Sequence, residues 1–309
     1  MHARMPAWVV APLAAAALAG PALGQVPDPS LAERLMPLIK AHHGKVAVAV
    51  MHLDGDETFF ENADEVMPTA SLIKFMILLE VYQQAAEGKL KLSDTLVLRA
   101  ADKVPGSGIL TDHFSAGATF PLRDAVRLMI AFSDNTATNL VLDRTGIDAV
   151  NRRMIGWGFV NSRVHAKVYH GDTSSVDPVR TKQFGLGSTT ACETVQLLAK
   201  LYRGQAGDAP ATAEMLEHLK QCQGRDKLTR FLPPEVAVAH KWGAVAGVKT
   251  DAGILYLPGG PVAVCVLTAQ NADQRFQPDN EANVLIGRVA EQVYLHFVGR
   301  ALPRRGTGR

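Results

Sequence analysis

A serine and a lysine three positions apart are the first residues in this sequence whose types and spacing could do chemistry. The pair, Ser71 and Lys74, follows a Pro-Thr dipeptide of the kind that begins helices, so both side chains are predicted on one face of a helix start. An uncharged Lys74 amine can take the hydroxyl proton of Ser71, and the positive end of the helix dipole favours an oxyanion formed there. Taken alone, this S-x-x-K pattern is weak evidence, because a solvated lysine near a helix start gives the same match.

Two further triplets follow Ser71 along the chain. An S-D-N triplet begins at Ser133, after a predicted helix that ends at Phe132, and its residue types are also favoured as helix caps. A K-W-G triplet begins at Lys241, in the first of the strands predicted near the carboxyl end. Neither triplet is specific by itself. Together the three elements occur in one order, on a helix, a helix corner and a strand.

In this order the elements resemble those of the class A β-lactamase family, whose S-x-x-K, S-D-N and K-T-G motifs carry its serine chemistry. The resemblance extends over nearly all of the chain after residue 24. A P-G-S-G segment at residues 105–108 and a T-T-A segment at residues 189–191 support it. The resemblance implies the β-lactamase/transpeptidase-like fold and an acyl-enzyme mechanism that uses neither a cofactor nor a metal ion.

The resemblance assigns the steps of acylation to particular side chains. Ser71 is expected to be the acylated nucleophile and Lys74 its proton acceptor. Ser133 is expected to relay a proton to the leaving nitrogen. Lys241 is expected to supply positive charge near Ser133 and the substrate carboxylate.

The resemblance also assigns residues that bind the substrate. Asn135 is expected to hold the amide side chain of the substrate. On the strand, Gly243 and Ala244 are expected to line the site, and the Ala244 N–H is expected to complete an oxyanion hole with the N–H of Ser71.

One departure from the family pattern lies in the third motif. Trp242 stands where the family usually has a Thr or Ser whose hydroxyl binds the substrate carboxylate, so that hydroxyl is absent. Lys249 or Thr250, a few residues further on, could replace it. Alternatively, the ring of Trp242 packs beneath the strand in a structural role, and both interpretations stay open at this point.

A second departure affects hydrolysis of the acyl-enzyme. Class A β-lactamases carry a glutamate in an E-x-x-L-N loop that activates the hydrolytic water, but residues 161–170 of this chain contain no carboxylate. His165 and Asp172 are candidate substitute bases, whereas Glu193 falls in the next predicted helix, outside the loop. A positioned general base is worth roughly 10²–10⁴-fold in rate, so its loss would leave acylation intact and slow deacylation.

These patterns support three hypotheses about function. The first is a class A β-lactamase-type serine hydrolase that forms an acyl-enzyme through Ser71 and hydrolyses β-lactam amides. The second is a D,D-carboxypeptidase or related penicillin-binding peptidase that acts on D-Ala-D-Ala cell-wall peptides. The third is a non-catalytic binder or sensor. In each case the partner is a small β-lactam or a peptidoglycan peptide, and the protein is expected to be a monomer.

The periodicity of apolar residues predicts the elements that position these side chains. Strands are predicted at both ends of the chain, and the region between them is predicted to be helical. The result is an α/β fold, an α+β sandwich in which a five-stranded antiparallel sheet built from both chain ends is flanked by helices and carries an inserted all-α domain. The predicted end helices cover residues 29–42 and 280–298, and the predicted strands cover residues 46–53, 57–60, 236–242, 251–257 and 262–268.

The chain begins with a segment that is predicted to be removed. Residues 1–24 combine a positive Arg4, an apolar run over residues 8–19 and a small-x-small site ending at Gly24, which is the pattern of a secretory signal peptide. The run is shorter than the roughly 20 residues of a spanning helix. We therefore expect export to the periplasm or the medium, with no membrane span. The predicted domains are a sheet domain of residues 25–68 and 233–299, a helical domain of residues 69–232 and a basic tail of residues 300–309.

The composition excludes several other classes of protein. The 309 residues are 47% hydrophobic and carry 32 Lys and Arg against 30 Asp and Glu, which fits neither a disordered chain nor a nucleic-acid binder with a basic face. Three cysteines cannot form a disulfide framework, and we expect Cys192, Cys222 and Cys265 to be buried. The sequence has no HExxH or paired CxxC motif that would indicate a metal site.

Overall fold

The structure is a computed structural model that describes residues 29–301. The predicted signal peptide and residues 302–309 of the predicted tail lie outside these residues, and so do the side chains of Asp172, Arg300 and Ala301. The strands are β1 (Lys45–His52), β2 (Thr58–Glu61), β3 (Met67–Pro68), β4 (Thr95–Val97), β5 (Thr119–Pro121), β6 (Arg163–Val164), β7 (Gly187–Thr189), β8 (Val238–Val245), β9 (Val248–Leu257) and β10 (Gly260–Ala269). The α-helices are α1 (Leu31–Ala41), α2 (Ile73–Ala86), α3 (Leu110–His113), α4 (Leu122–Ala131), α5 (Asn135–Thr145), α6 (Ile147–Gly156), α7 (Gly171–Ser174), α8 (Pro178–Phe184), α9 (Ala191–Tyr202), α10 (Ala209–Lys220) and α11 (Glu281–Ala301).

Five strands form the central antiparallel sheet, in the order β2-β1-β10-β9-β8. The sheet combines strands from both ends of the chain, which confirms the predicted fold. The inner strands β1 and β10 are nearly continuous apolar runs because both of their faces are buried. Strand β8 lies at the edge and carries the K-W-G triplet.

Each face of the sheet belongs to its own apolar cluster. On one face, strand residues such as Val264 pack with Leu35 of α1 and Val289 of α11. On the other face, Ala263 belongs to a cluster that continues into the helical region through residues such as Ile77 of α2. The helix that follows Ser71 is therefore anchored to the sheet by a common core. The bounds of the two predicted domains remain a prediction.

The strands near the site differ from the predicted ones. Strand β8 continues three residues beyond Trp242, and β9 begins three residues before Asp251, so the two form one long hairpin whose turn contains Gly247 at φ 69°. Periodicity missed this extension because Gly, Ala and Lys, which have little strand preference, are interspersed there with the Val and Thr residues that favour strands. Two small sheets, β3-β7-β6 and β4-β5, also interrupt the region predicted to be helical. Their strands have two or three residues, too few to show a periodic pattern.

Cysteine burial follows the prediction in part. Cys222 and Cys265 are buried, but Cys192, near the start of α9, is half-buried, and all three are free thiols. None of the helices within residues 29–301 combines the length and the hydrophobicity needed to span a membrane. The same residues contain no group of three or more potential metal-ligating side chains.

Candidate active site

Ser71 lies where a tight turn meets the edge of the central sheet. The residue is the middle one of a short 3-10 helix, Ala70–Leu72, that leads directly into α2. The hydroxyl of Thr250 on β9 donates a 2.9 Å hydrogen bond to the Thr69 carbonyl and fastens this turn to the sheet. Thr250 is fully buried and its hydroxyl proton is used in this bond, which gives it a structural contact, and its suggested role of binding a substrate carboxylate stays a prediction.

Gly243 brings strand β8 against the backbone of Ser71. A Cβ atom at Gly243 would lie 2.7 Å from the Ser71 amide nitrogen and 2.5 Å from the Thr69 carbonyl oxygen, distances that no side chain can adopt. Glycine is therefore required for this close approach. Ala244, the next residue, lines the same pocket as Ser71.

Two buried lysines share the hydroxyl of Ser133. The Lys74 amine lies 2.9 Å from Ser133 Oγ, and the Lys241 amine lies 3.1 Å from the same oxygen. Lys74 also donates to the Ser133 carbonyl at 2.6 Å and to Asn135 Oδ1 at 3.0 Å. The predicted site residues Lys74, Ser133 and Lys241 thus lie together. All three of these contacts of Lys74 are made with residues of the S-D-N triplet.

Burial sets the protonation of both lysines. The side chain of Lys74 is fully enclosed, and desolvation together with the nearby charge of Lys241 holds its pKa well below the usual value for lysine. Desolvation also lowers the pKa of Lys241, to about 8, although the neighbouring Cys222 and Asp251 oppose the shift. The lowered pKa of Lys74 favours its uncharged form, and a Lys241 with a pKa of about 8 stays charged near neutral pH.

Asp134 positions the S-D-N triplet. Its carboxylate accepts hydrogen bonds from the N–H groups of Ala137 at 2.8 Å, Ile109 at 2.7 Å and Leu110 at 2.9 Å. The first contact caps α5, and the other two attach the P-G-S-G segment to the triplet. A Cβ atom at Gly108, where φ is 124°, would lie 2.3 Å from the Asp134 carboxyl carbon, so this residue must also be glycine.

Backbone strain is concentrated around the pocket. Ala70 and Ser133 both adopt positive φ angles, of 45° and 53°, and Tyr169 on the opposite wall has a φ of 60°. Non-glycine residues in this region cost about 1–3 kcal/mol each and cluster at functional sites. The strain at Ala70 and Ser133 coincides with the two hydroxyls, of Ser71 and Ser133, that the motifs single out.

Ser71 opens onto a pocket of about 500 Å³. A second cleft of about 830 Å³ adjoins it, shares Tyr169, Leu186 and Val245, and extends past Arg180. Among the described side chains that line the smaller pocket, none carries a charge. The lining residues are Ser71, Gly106, Ser107, Asn135, Val168, Tyr169, Leu186, Trp242, Ala244, Val245, Ala246 and Phe276.

Trp242 both lines the pocket and packs against the loop beside it. A Cβ atom at Gly224 would lie 2.2 Å from Cδ1 of the indole, so the ring rests directly on that backbone. The Lys241 amine lies 4.6 Å from the ring centroid, which separates this ammonium group from solvent. Lys249, the other suggested carboxylate ligand, is buried, donates to the Val245 carbonyl at 2.9 Å and lies against the ring of Phe276, and its suggested role stays a prediction.

Two residues, His165 and Asp172, were suggested as substitute bases. Only the side chain of His165 is described, and it does not face Ser71. His165 is buried, and its two ring nitrogens contact the Gly185 carbonyl and the Ser188 hydroxyl, each at 3.2 Å. These contacts attach the ring to the loop, and the suggested role of His165 as a base stays a prediction. Asp172 is the second residue of α7, but its side chain lies outside the described residues, so its role as a base remains a prediction. Glu193 binds Asn161 and Ser162, away from the pocket.

Two site residues were missed by sequence reasoning. Asn139 of α5 exchanges two 2.9 Å hydrogen bonds with the backbone of Val168 and so holds the pocket wall opposite the strand. Ser107 donates to the Ser133 carbonyl at 2.7 Å. The signal for Asn139 was available, because it lies one helical turn after Asn135 on a buried helix.

Comparison with known proteins agrees with this fold and site. A family model described as the beta-lactamase enzyme family matches residues 30–297. The extended-spectrum beta-lactamase PER-1 of Pseudomonas aeruginosa is 25% identical over 86% of this chain and 87% of its own length. The solved structure of a beta-lactamase from Sphaerobacter thermophilus is 30% identical, with a TM-score of 0.76 over 88% of this chain and 98% of that one. The structure of PBP-A, 24% identical with a TM-score of 0.75 over 86% of this chain and 95% of that one, shares the fold.

The fold and the site define a class of serine enzymes. In this class one serine, here Ser71, lies at a sheet edge, and two buried lysines contact the hydroxyl of a second serine, here Ser133. Within that class, the chain belongs to the beta-lactamase enzyme family, of the class A type. This confirms the resemblance seen in the three motifs.

Proposed function

We propose that this protein is a serine hydrolase that opens β-lactam amides by forming an ester with Ser71. The observation that carries this proposal is the Ser133 hydroxyl held between the amines of Lys74 and Lys241, at 2.9 Å and 3.1 Å. Family membership supports the substrate class, since relatives such as PER-1 are named beta-lactamases.

The hydrogen bonds define a direction for proton movement. Lys74 donates to the Ser133 carbonyl, to Asn135 Oδ1 and to Ser133 Oγ, so a proton that its amine takes up can pass on to the Ser133 hydroxyl. Lys241, as an ammonium group, donates to the same oxygen. When a substrate enters, an uncharged Lys74 accepts the proton of Ser71 as the serine oxygen bonds to the carbonyl carbon. Ser133 passes its own proton to the leaving nitrogen as the amide bond breaks, and Lys74 returns a proton to Ser133 Oγ.

The backbone of β8 supplies the second part of the mechanism. Because Gly243 lies against the Ser71 amide, the N–H groups of Ser71 and Ala244 are suitable donors to the oxyanion of the tetrahedral intermediate. Asn135, which also lines the pocket, is positioned to bind the amide side chain of the substrate. The adjoining cleft provides space for a larger substituent on that side chain.

Deacylation is the slow step of this proposal. No carboxylate is found among the described residues that line the pocket, a set that does not include the Asp172 side chain, so none of the described pocket residues offers a water molecule beside the acyl-enzyme such a general base. Loss of a positioned base slows a step by roughly 10²–10⁴-fold. The same observation favours the second candidate, a penicillin-binding peptidase that is rapidly acylated by β-lactams and slowly released.

Mass spectrometry after incubation with benzylpenicillin tests the proposal. We expect one covalent equivalent on the peptide that contains Ser71 and none in the Ser71→Ala variant. A non-catalytic binder would instead show no difference in covalent modification between the two proteins. Release of D-alanine from a D-Ala-D-Ala peptide would assign the peptidase activity instead. An unmodified wild-type protein after prolonged incubation would overturn both.

The site of action and the assembly state are part of the same proposal. Residues 1–24 have the composition of a secretory signal peptide, which supports export to the periplasm or the medium after cleavage near Gly24. There the protein would meet β-lactams and peptidoglycan peptides, acting as a monomer. Amino-terminal sequencing of the exported protein and light scattering test these two points.

A further inference from the structure

A second group of reactive side chains lies behind Lys241, outside the pocket of Ser71. His240 on β8 faces away from the site, and its Nδ1 lies 3.0 Å and 3.1 Å from the two carboxylate oxygens of Asp251 on β9. Cys222 lines the same cavity as His240, near enough for each group to shift the pKa of the other. All three side chains are buried, which gives a Cys-His-Asp cluster that the acylation mechanism does not use.

The cluster borders a cavity of its own. Cys222 and His240 both line a space of about 240 Å³, which Lys220, Arg225 and a Pro-Pro segment at residues 233–234 close from the other sides. The volume exceeds that of several water molecules, about 30 Å³ each in the liquid, so a small molecule fits beside the thiol. Two cationic side chains at the rim make the cavity suitable for a polar or anionic reagent.

The environment of Cys222 differs from that of the other two thiols. Burial by itself would raise the pKa of Cys222, but the charge and hydrogen bond of His240 outweigh it and hold the pKa below the usual value. Burial raises the pKa of Cys265 in β10, and burial together with the carboxylate of Asp64 raises that of Cys192. Because the thiolate is the reacting form of cysteine, these contacts separate one reactive thiol from two inert ones.

We infer that Cys222, paired with His240 and Asp251, is a modification site that reacts with small hydroperoxides. In this reaction the Cys222 thiolate attacks one peroxide oxygen, a sulfur–oxygen bond forms and the oxygen–oxygen bond breaks. Sulfur is oxidised by two electrons, and the peroxide is reduced. The leaving hydroxide takes the proton of the His240 imidazolium and becomes water, while the bond from Asp251 keeps Nδ1 protonated. The product is a sulfenic acid on Cys222.

This inference does not depend on the proposed acylation of Ser71. Its test uses the full-length folded protein, treated with hydrogen peroxide in the presence of dimedone, which traps sulfenic acids. Peptide mass spectrometry then gives the labelling rate of each cysteine. We expect the labelling rate of Cys222 to be at least about tenfold that of Cys192, although Cys192 is the more exposed thiol.

The chain supplies its own controls. Cys265 is enclosed in the sheet and is labelled only when the protein unfolds. A sample is therefore accepted as folded only if the labelling of Cys265 stays low. The unfolded protein in denaturant should label all three cysteines at similar rates, which checks detection. In the His240→Gln variant we expect the rate at Cys222 to fall about tenfold while Cys265 stays unlabelled. Faster labelling of Cys192 than of Cys222 in the folded protein, or an unchanged rate at Cys222 in His240→Gln, would overturn the inference.

Discussion

Gly243 and Ser71 lie so close that a methyl group on the glycine would come within 2.7 Å of the serine amide nitrogen. The contact joins the edge strand, which follows the helical region in the sequence, to the turn that precedes α2. It aligns the backbone N–H of Ser71 with strand β8, and it explains why the third motif ends in glycine.

The Gly243→Ala variant tests this contact. The added methyl group must displace either β8 or the turn, which separates the two predicted oxyanion donors, so we expect acylation by benzylpenicillin to slow about 10²-fold or more. Gly156→Ala is the matched control, since a Cβ atom there meets nothing within 4 Å. Equal acylation rates for both variants would show that the close approach has no part in the reaction.

The pH dependence of acylation reports the two buried lysines. Lys241 has a pKa of about 8, set by burial against the opposing charges of Cys222 and Asp251, so it loses its positive charge as the pH rises through that value. We expect the second-order acylation rate to fall above pH 8, since a rise in pH can only remove protons from Lys74, whose lowered pKa already favours the uncharged base form. In Lys241→Arg the guanidinium remains charged, and the alkaline decline should disappear. A decline at the same pH in Lys241→Arg would assign it to another group.

Trp242 is predicted to reduce reactivity toward substrates that carry a carboxylate. Trp242 stands in place of the hydroxyl residue that the family usually has. Its ring covers the amine of Lys241, which lies 4.6 Å from the ring centroid. We expect Trp242→Thr to accelerate acylation by benzylpenicillin about tenfold, because a hydrogen bond to a charged group contributes about 1.5–3 kcal/mol. The methyl ester of benzylpenicillin should gain nothing.

Trp242→Val separates the hydroxyl from the loss of bulk, since valine has nearly the shape of threonine. We expect Trp242→Val to leave the preference between acid and ester unchanged. An equal gain for the acid in both variants would mean that the indole acts by obstruction alone.

Asp134 is predicted to contribute to stability as well as to the site. Its removal in Asp134→Ala leaves three backbone N–H groups without their acceptor, at the start of α5 and in the segment that contains Gly108. We expect the free energy of unfolding in urea to fall by about 3 kcal/mol. Asp124→Ala, in the first turn of α4 and half exposed, is the control and should change it by less than about 0.5 kcal/mol.

Much of the fold followed from the sequence because the strands of the central sheet are long apolar runs. The positions of Ser71, Lys74, Ser133 and Lys241 in one site also followed, since the motifs carry them. The shared hydroxyl of Ser133 did not, because it depends on a positive φ angle that no residue type specifies. The contact of Thr250 could not be predicted for a similar reason, since its buried bond to Thr69 depends on strand register.

The absence of a base was harder to judge from sequence than the presence of a nucleophile. A histidine in a loop looks available, but His165 is held by Gly185 and Ser188 on both ring nitrogens. Such contacts come from loop packing, which has no periodicity to detect.

The most direct test of the account is a stopped-flow measurement with a chromogenic cephalosporin in excess over enzyme. We predict a rapid burst of one equivalent of opened β-lactam per Ser71, followed by a steady state that is at least about 10²-fold slower, because acylation is assisted and no described residue that lines the pocket offers deacylation a carboxylate base. Rapid linear turnover without a burst would contradict the account, since it would require an efficient base for deacylation beside Ser71.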